Sequence, residues 1–206
     1  MIDFILNKNK DQLKKDLIFY AFFLMTFENF FSQWKEQLQS FFADSFHEKN
    51  GKIVFDFVKT SVVDAKAYIT EDEKAKEKYE EIFRIVNKSN KKNGYDKTLS
   101  MFKWMEIHKF IDNKDYEKLT SIRELRNEIA HNLEKCLEKG VSDNDKNLLD
   151  SLLKIRKKAS ERWIREIEIP IAGDEHLDEN GNFQSPVFVT SLNDVIIDII
   201  KDSVLT

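Results

Sequence analysis

Apolar residues recur at three- and four-residue intervals along most of this chain, the period of helices with one buried face. Over 11–46 the row Leu13, Leu17, Tyr20, Leu24, Phe27, Phe31, Trp34, Leu38 and Phe41 predicts one long helix. Phe19, Phe22, Phe23 and Phe30 lie off that row, so the helix is apolar around much of its girth. It has to be covered on two sides, by the core or in part by a second subunit. Asn50-Gly51 is a turn signal. After it, Ile53, Phe55 and Phe57 alternate as in a strand. Over the longer window Phe55, Val58, Val62, Ala65 and Ile69 keep helical spacing, which predicts a helix over 53–68.

Thr70-Glu71-Asp72-Glu73 opens a charged helix that runs to about Asn87, and a shorter helix follows over 99–111. The next apolar stripe starts near Asp115 and stops at Gly140, the expected αL stop; Ser142 then starts a helix that runs to about Glu166. Beyond Pro170 two short strands are predicted around the turn Glu179-Asn180-Gly181-Asn182, then a helix from Ser191 that buries Val195, Ile196, Ile199, Ile200 and Val204. The expected fold class is all-α: an antiparallel helical bundle over 1–168, carrying a small C-terminal extension over 169–206 that is packed on the same domain.

Composition supports that class. Only 5 glycines and 2 prolines interrupt 206 residues, 34% charged residues supply solvated faces, and 17 phenylalanines give too much apolar bulk for a disordered chain. The net charge of -4 means that any phosphate binding must rest on a local basic surface. Cys136 is the single cysteine, so an intramolecular disulfide and a multi-cysteine metal site are both ruled out. There is no zinc-type histidine pair and no glycine-rich phosphate loop, and Asp174, Asp178 and Glu179 lack the spacing of a Ca²⁺ loop. No metal and no cofactor is expected. The apolar run 17–25 is about half the length needed to span a bilayer, and the opening residues, with Asp3, do not resemble a secretory signal. A cytoplasmic protein with no membrane partner is expected.

The chemistry concentrates on the 115–140 helix. Its wheel puts Ile122, Leu125, Ile129, Leu133 and Cys136 in the apolar sector, with Asn127 and His131 on the opposite, polar side. Arg126 points close to the apolar sector, where a guanidinium needs a carboxylate, a phosphate or a water-filled cleft. Spacing alone favours an ion pair with a glutamate of a neighbouring helix. Read alone, His131 is a surface histidine, and His108 is a satisfied core or groove histidine. On the last long helix Lys154, Lys158, Arg162 and Arg165 stack on one outer stripe. Such a stripe is usually a solvated face, but it is the best candidate here for holding an RNA backbone.

The run Arg126-Asn127-Glu128-Ile129-Ala130-His131, followed by Asn132 in an all-helical chain, resembles the Arg-x4-6-His signature of HEPN-domain ribonucleases, in the form where a polar residue follows the arginine. The resemblance covers roughly 10–168 and is carried by the motif. It implies a HEPN-like bundle, a homodimer whose two motif copies line one cleft, and metal-independent endoribonuclease activity on RNA. It assigns the catalytic roles to Arg126, Asn127 and His131. A toxin or phage-defence setting is also implied, with an antitoxin or other defence-system protein as partner. Leu133 stands where one subfamily has a tyrosine that a partner nucleotidyltransferase modifies, so that regulation is not expected. The alternative is a non-catalytic HEPN-like module that binds RNA, a nucleotide or a partner protein.

Overall fold

The computed structural model describes residues 9–42, 45–49, 52–56, 76–87 and 94–168. Residues 57–68 of the helix expected over 53–68, the start of the charged helix at 70–75, and the extension 169–206 with its expected strands, acidic loop and terminal helix lie outside the described residues. What is described is mostly helical, in keeping with the all-α class. No described helix is long and apolar enough to cross a membrane.

Helix α1 spans Lys10–Phe42. It ends short of the expected Phe46, because Ser45–Lys49 forms strand β1, antiparallel to β2 at Lys52–Asp56. The start of the helix expected over 53–68 is therefore strand. The register pairs Lys49 with Lys52; the turn signal Asn50-Gly51 between them lies outside the described residues. The strand alternation of Ile53 and Phe55 prevails here over a helical period read across a longer window.

The chain forms two compact units that divide inside α1, one from residues up to Glu28 together with those from Lys109 onward, the other from Asn29–His108. The second unit contains the rest of α1, the hairpin, helix α2 (described over 76–82) and α3 (Lys97–Ile107). Asp96 caps α3 by accepting from the Leu99 N–H at 3.1 Å, and the buried Ser100 hydroxyl accepts from the Val86 N–H at 2.9 Å. Phe30 stacks on Phe102 with ring centroids 6.0 Å apart. His108 is exposed at the C-cap of α3, its ring 4.3 Å from Trp104, so it sits on the surface and not in the core.

The first unit positions the motif. Helices α4 (Asn113–Lys139) and α5 (Asp143–Trp163) follow one another, and a π-helical turn, Ile164–Glu168, ends the described chain. Reciprocal capping boxes start both helices, Asp112 with Asp115 and Ser142 with Asp145. Gly140 closes α4 where the sequence predicts, but not as an αL residue: its φ of 75° and ψ of 170° fall in a different positive-φ region, one essentially restricted to glycine. Contacts between Phe110 and Trp163, and between Lys158 and the start of α4, make α5 run antiparallel to α4.

Helix α1 is also antiparallel to α4. Glu28 meets Arg126, and eight residues earlier the Tyr20 hydroxyl donates to the carbonyls of Cys136 and Gly140, at 3.3 and 3.1 Å. The Gly140 carbonyl lies at the C-cap, past the last helical turn, whereas the Cys136 carbonyl also accepts the Gly140 N–H at 2.9 Å, so the phenol is its second donor. Burial pushes the Tyr20 phenol above its usual range, with Asp145 adding to the shift, so it remains a neutral donor. Phe19, Phe22, Phe23 and Phe30 are all at most 2% exposed. The surplus aromatics Phe19, Phe22, Phe23 and Phe30 are thus core and not left for a subunit interface; Leu17 and Ile18 are the large apolar residues that this unit leaves open on α1.

Candidate functional site

The motif occupies the middle of α4, where the helix passes from packed to open. Leu119, Ile122, Leu125 and Ile129 are buried, whereas every residue over 130–135 is exposed and burial resumes only at Cys136. The change coincides with a break in the helix: Asn132 has φ -140° and ψ 40°, outside the helical region. Leu133, expected in the apolar sector, is 39% exposed. A wheel assumes a continuous axis, and the axis bends one residue earlier.

The direction of the bend can be read from one ion pair. Lys139 Nζ lies 3.0 Å from Glu128 Oε1, although the two residues are eleven positions apart. A straight helix would separate their Cα atoms by ~16 Å, more than the two side chains span. The helix therefore folds toward its Glu128 and Lys139 flank, beside His131. The pair is mostly exposed and adds little stability by itself.

Arg126 is half-buried and held from two directions. Its Nε donates to Glu28 Oε1 at 2.7 Å, its Nη2 contacts the same oxygen, and its Nη1 donates to Asn127 Oδ1 at 3.1 Å. The carboxylate that the sequence required for this guanidinium is Glu28, across the α1–α4 contact. His131 is exposed and makes no hydrogen bond or ion pair among the described residues. Five residues separate it from Arg126, about 140° around the axis. One α4 helix thus brings Arg126 and Asn127 together and points His131 elsewhere.

The cationic stripe of α5 is engaged with the chain itself. Lys154 pairs with Asp150 at 2.6 Å, Lys158 with Asp112 and Asp115 at 2.7 and 2.6 Å, and Arg162 donates to the Lys109 carbonyl, leaving Arg165 exposed on the π-helical turn. Lys158 and Arg162 thereby clamp the start of α4, ~24 Å along the helix from His131. The structure does not bring the stripe and the motif together.

The clamp predicts a pH effect. The hydrogen bond from Lys158, reinforced by the Asp115 N–H, holds the Asp112 carboxyl down to about 2, and in return raises the Lys158 ammonium. A carboxyl depressed in the folded state stabilises the protein above its unfolded pKa of ~3.9, and that contribution disappears as pH falls through the folded value. Asp112→Asn keeps a capping oxygen but loses the charge. It is expected to melt below the wild type at pH 7, with the gap closing between about pH 4 and pH 2. A gap of constant size across that window would show that the pair contributes nothing.

Cys136 is buried in the core and burial raises its thiol pKa, the opposite of what a nucleophile needs. Among the described residues no group of three or more histidines, cysteines or carboxylates could hold a metal ion. No protein-family model, curated protein or solved structure matches this chain. The functional reading therefore rests on the motif and its surroundings. Sequence reasoning missed Glu28 and the bend at Asn132. Nothing in the sequence links Glu28 to an arginine 98 positions away, and asparagine within a helix is only a mild signal for a break.

Proposed function

We propose that this protein is a HEPN-like, metal-independent endoribonuclease that acts as a homodimer, with Arg126, Asn127 and His131 as its catalytic residues. In the reaction, the RNA 2′-oxygen attacks the adjacent phosphorus and the bond from phosphorus to the 5′-oxygen breaks. A 2′,3′-cyclic phosphate and a free 5′-OH result, and no water is consumed. The proton leaves the 2′-OH and one is delivered to the departing 5′-oxygen. Histidine suits this transfer because its ordinary pKa lies near neutrality. Arg126 binds the phosphate oxygens and stabilises the charge that develops on them. Asn127 steadies the guanidinium and offers its amide N–H groups to a phosphate oxygen.

The observation that carries this reading is the open stretch 130–135, which leaves His131 unobstructed a turn and a half beyond an arginine already fixed in place. The angle between the two side chains favours a site completed by the motif of a second copy. The toxin or phage-defence role, with its antitoxin or partner protein, comes from the resemblance alone. A second reading, a non-catalytic HEPN-like module, is favoured by the ion pair of Arg126 with Glu28, since an arginine on a half-buried face needs such a partner for structural reasons alone.

Incubating purified protein with single-stranded RNA in excess EDTA separates the two. The nuclease reading expects cleavage at an undiminished rate and products ending in cyclic phosphate. Binding without cleavage supports the second reading, and cleavage that returns only with Mg²⁺ or Mn²⁺ points to a two-metal site elsewhere.

A further inference from the structure

We propose that Glu28 is a positioning residue: it holds the Arg126 guanidinium in the orientation that receives an RNA phosphate. This rests on the reading of Arg126 as a phosphate-binding residue. A guanidinium has five N–H donors in one plane. In Arg126 two are hydrogen-bonded, Nε to Glu28 Oε1 and one N–H of Nη1 to Asn127 Oδ1, while Nη2 lies against the same Glu28 oxygen as an ion-pair contact. The other N–H of Nη1 and at least one N–H of Nη2 are not taken up. One N–H on each terminal nitrogen of a fixed plane can meet two oxygens of a single phosphate.

The pair with Glu28 is therefore compatible with phosphate binding. Glu28 takes the inner edge of the guanidinium and uses only one of its oxygens. Its side chain is 45% exposed, against 32% for Arg126. In that setting water weakens the pair, so Glu28 offsets only part of the attraction of Arg126 for an anion. What Glu28 supplies is direction: without it a flexible side chain has to be ordered anew each time RNA binds. Glu28 belongs to α1 and Arg126 to α4, so the packing of two helices fixes the angle.

The test uses the full-length chain with Glu28→Gln, Glu28→Ala and Glu28→Asp, single-turnover cleavage of a defined single-stranded RNA, and melting curves for each variant. Gln keeps an acceptor oxygen at the same reach and loses the charge, Asp keeps the charge and withdraws the oxygen, and Ala removes both. The proposal expects Glu28→Gln to cleave within about threefold of wild type, with Glu28→Ala and Glu28→Asp slower by about tenfold to a hundredfold in the chemical step. Binding of a 2′-O-methyl RNA, which cannot be cleaved, should change far less than the rate. Equal loss in Gln and Ala would overturn the proposal by making the charge the active feature. So would wild-type or faster rates in all three, which would make Glu28 a bystander or a competitor, with the nuclease reading intact. If the wild type itself does not cleave, the nuclease reading fails and this proposal with it.

Discussion

Replacing His131 with alanine is expected to lower RNA cleavage by about two to four orders of magnitude, the usual contribution of a positioned proton-transfer group. The fold should not change. His131 lies in the exposed stretch 130–135 and makes no hydrogen bond or ion pair among the described residues, so truncation removes neither packing nor a partner. Surface changes of this kind ordinarily shift stability by no more than about 0.5 kcal/mol. The helical circular-dichroism signal and melting temperature should match the wild type, while product formation, followed on a gel, should nearly vanish. Cleavage at the wild-type rate would remove His131 from the mechanism. Loss of helicity would show that the histidine supports the bend at Asn132, and inactivity could then not be assigned to chemistry.

The helix carrying the motif and the one after it were legible in the sequence because their ends are written in local chemistry. Ser142 and Asp145 form the predicted start of α5, and Gly140 ends α4 with a positive φ, where a side chain would be penalised. Helical period located the buried faces of both, Ile122, Leu125 and Ile129 on α4, Leu149, Leu152 and Ala159 on α5. The same period failed where its assumption of a straight axis failed, at Leu133 beyond the bend, and over 53–56, where the chain pairs as strand β2. Burial of the surplus phenylalanines of α1 depends on which elements surround that helix, and periodicity contains no such information. The need of Arg126 for an anionic neighbour followed from its place on the wheel, but the identity of Glu28 required the antiparallel contact between α1 and α4. The stripe of cations on α5 was legible as a stripe. That Lys158 and Arg162 face the start of α4 was not, because their partners, Asp112, Asp115 and the Lys109 carbonyl, are brought near by the helical hairpin.

The central claim is that the active site is shared, with Arg126 of one copy acting on the same phosphate as His131 of the other. The claim follows from the ~140° between the two side chains on one helix and from the uncovered face at 130–135. A two-fold homodimer uses the same patch twice, so it would form two such composite sites. Arg126→Ala should be as inactive as His131→Ala. Its stability should drop by no more than about 1 kcal/mol, since the Glu28 carboxylate left behind is 45% exposed and can be hydrated. The decisive measurement mixes the two inactive variants in equal amounts under conditions that let subunits exchange, and assays RNA cleavage. Random pairing makes about half of the dimers mixed, each with one intact site of two, so the account predicts recovery of about a quarter of wild-type activity. If mixing restores nothing while exchange is verified, or if a monomeric wild type cleaves RNA, the shared site is contradicted.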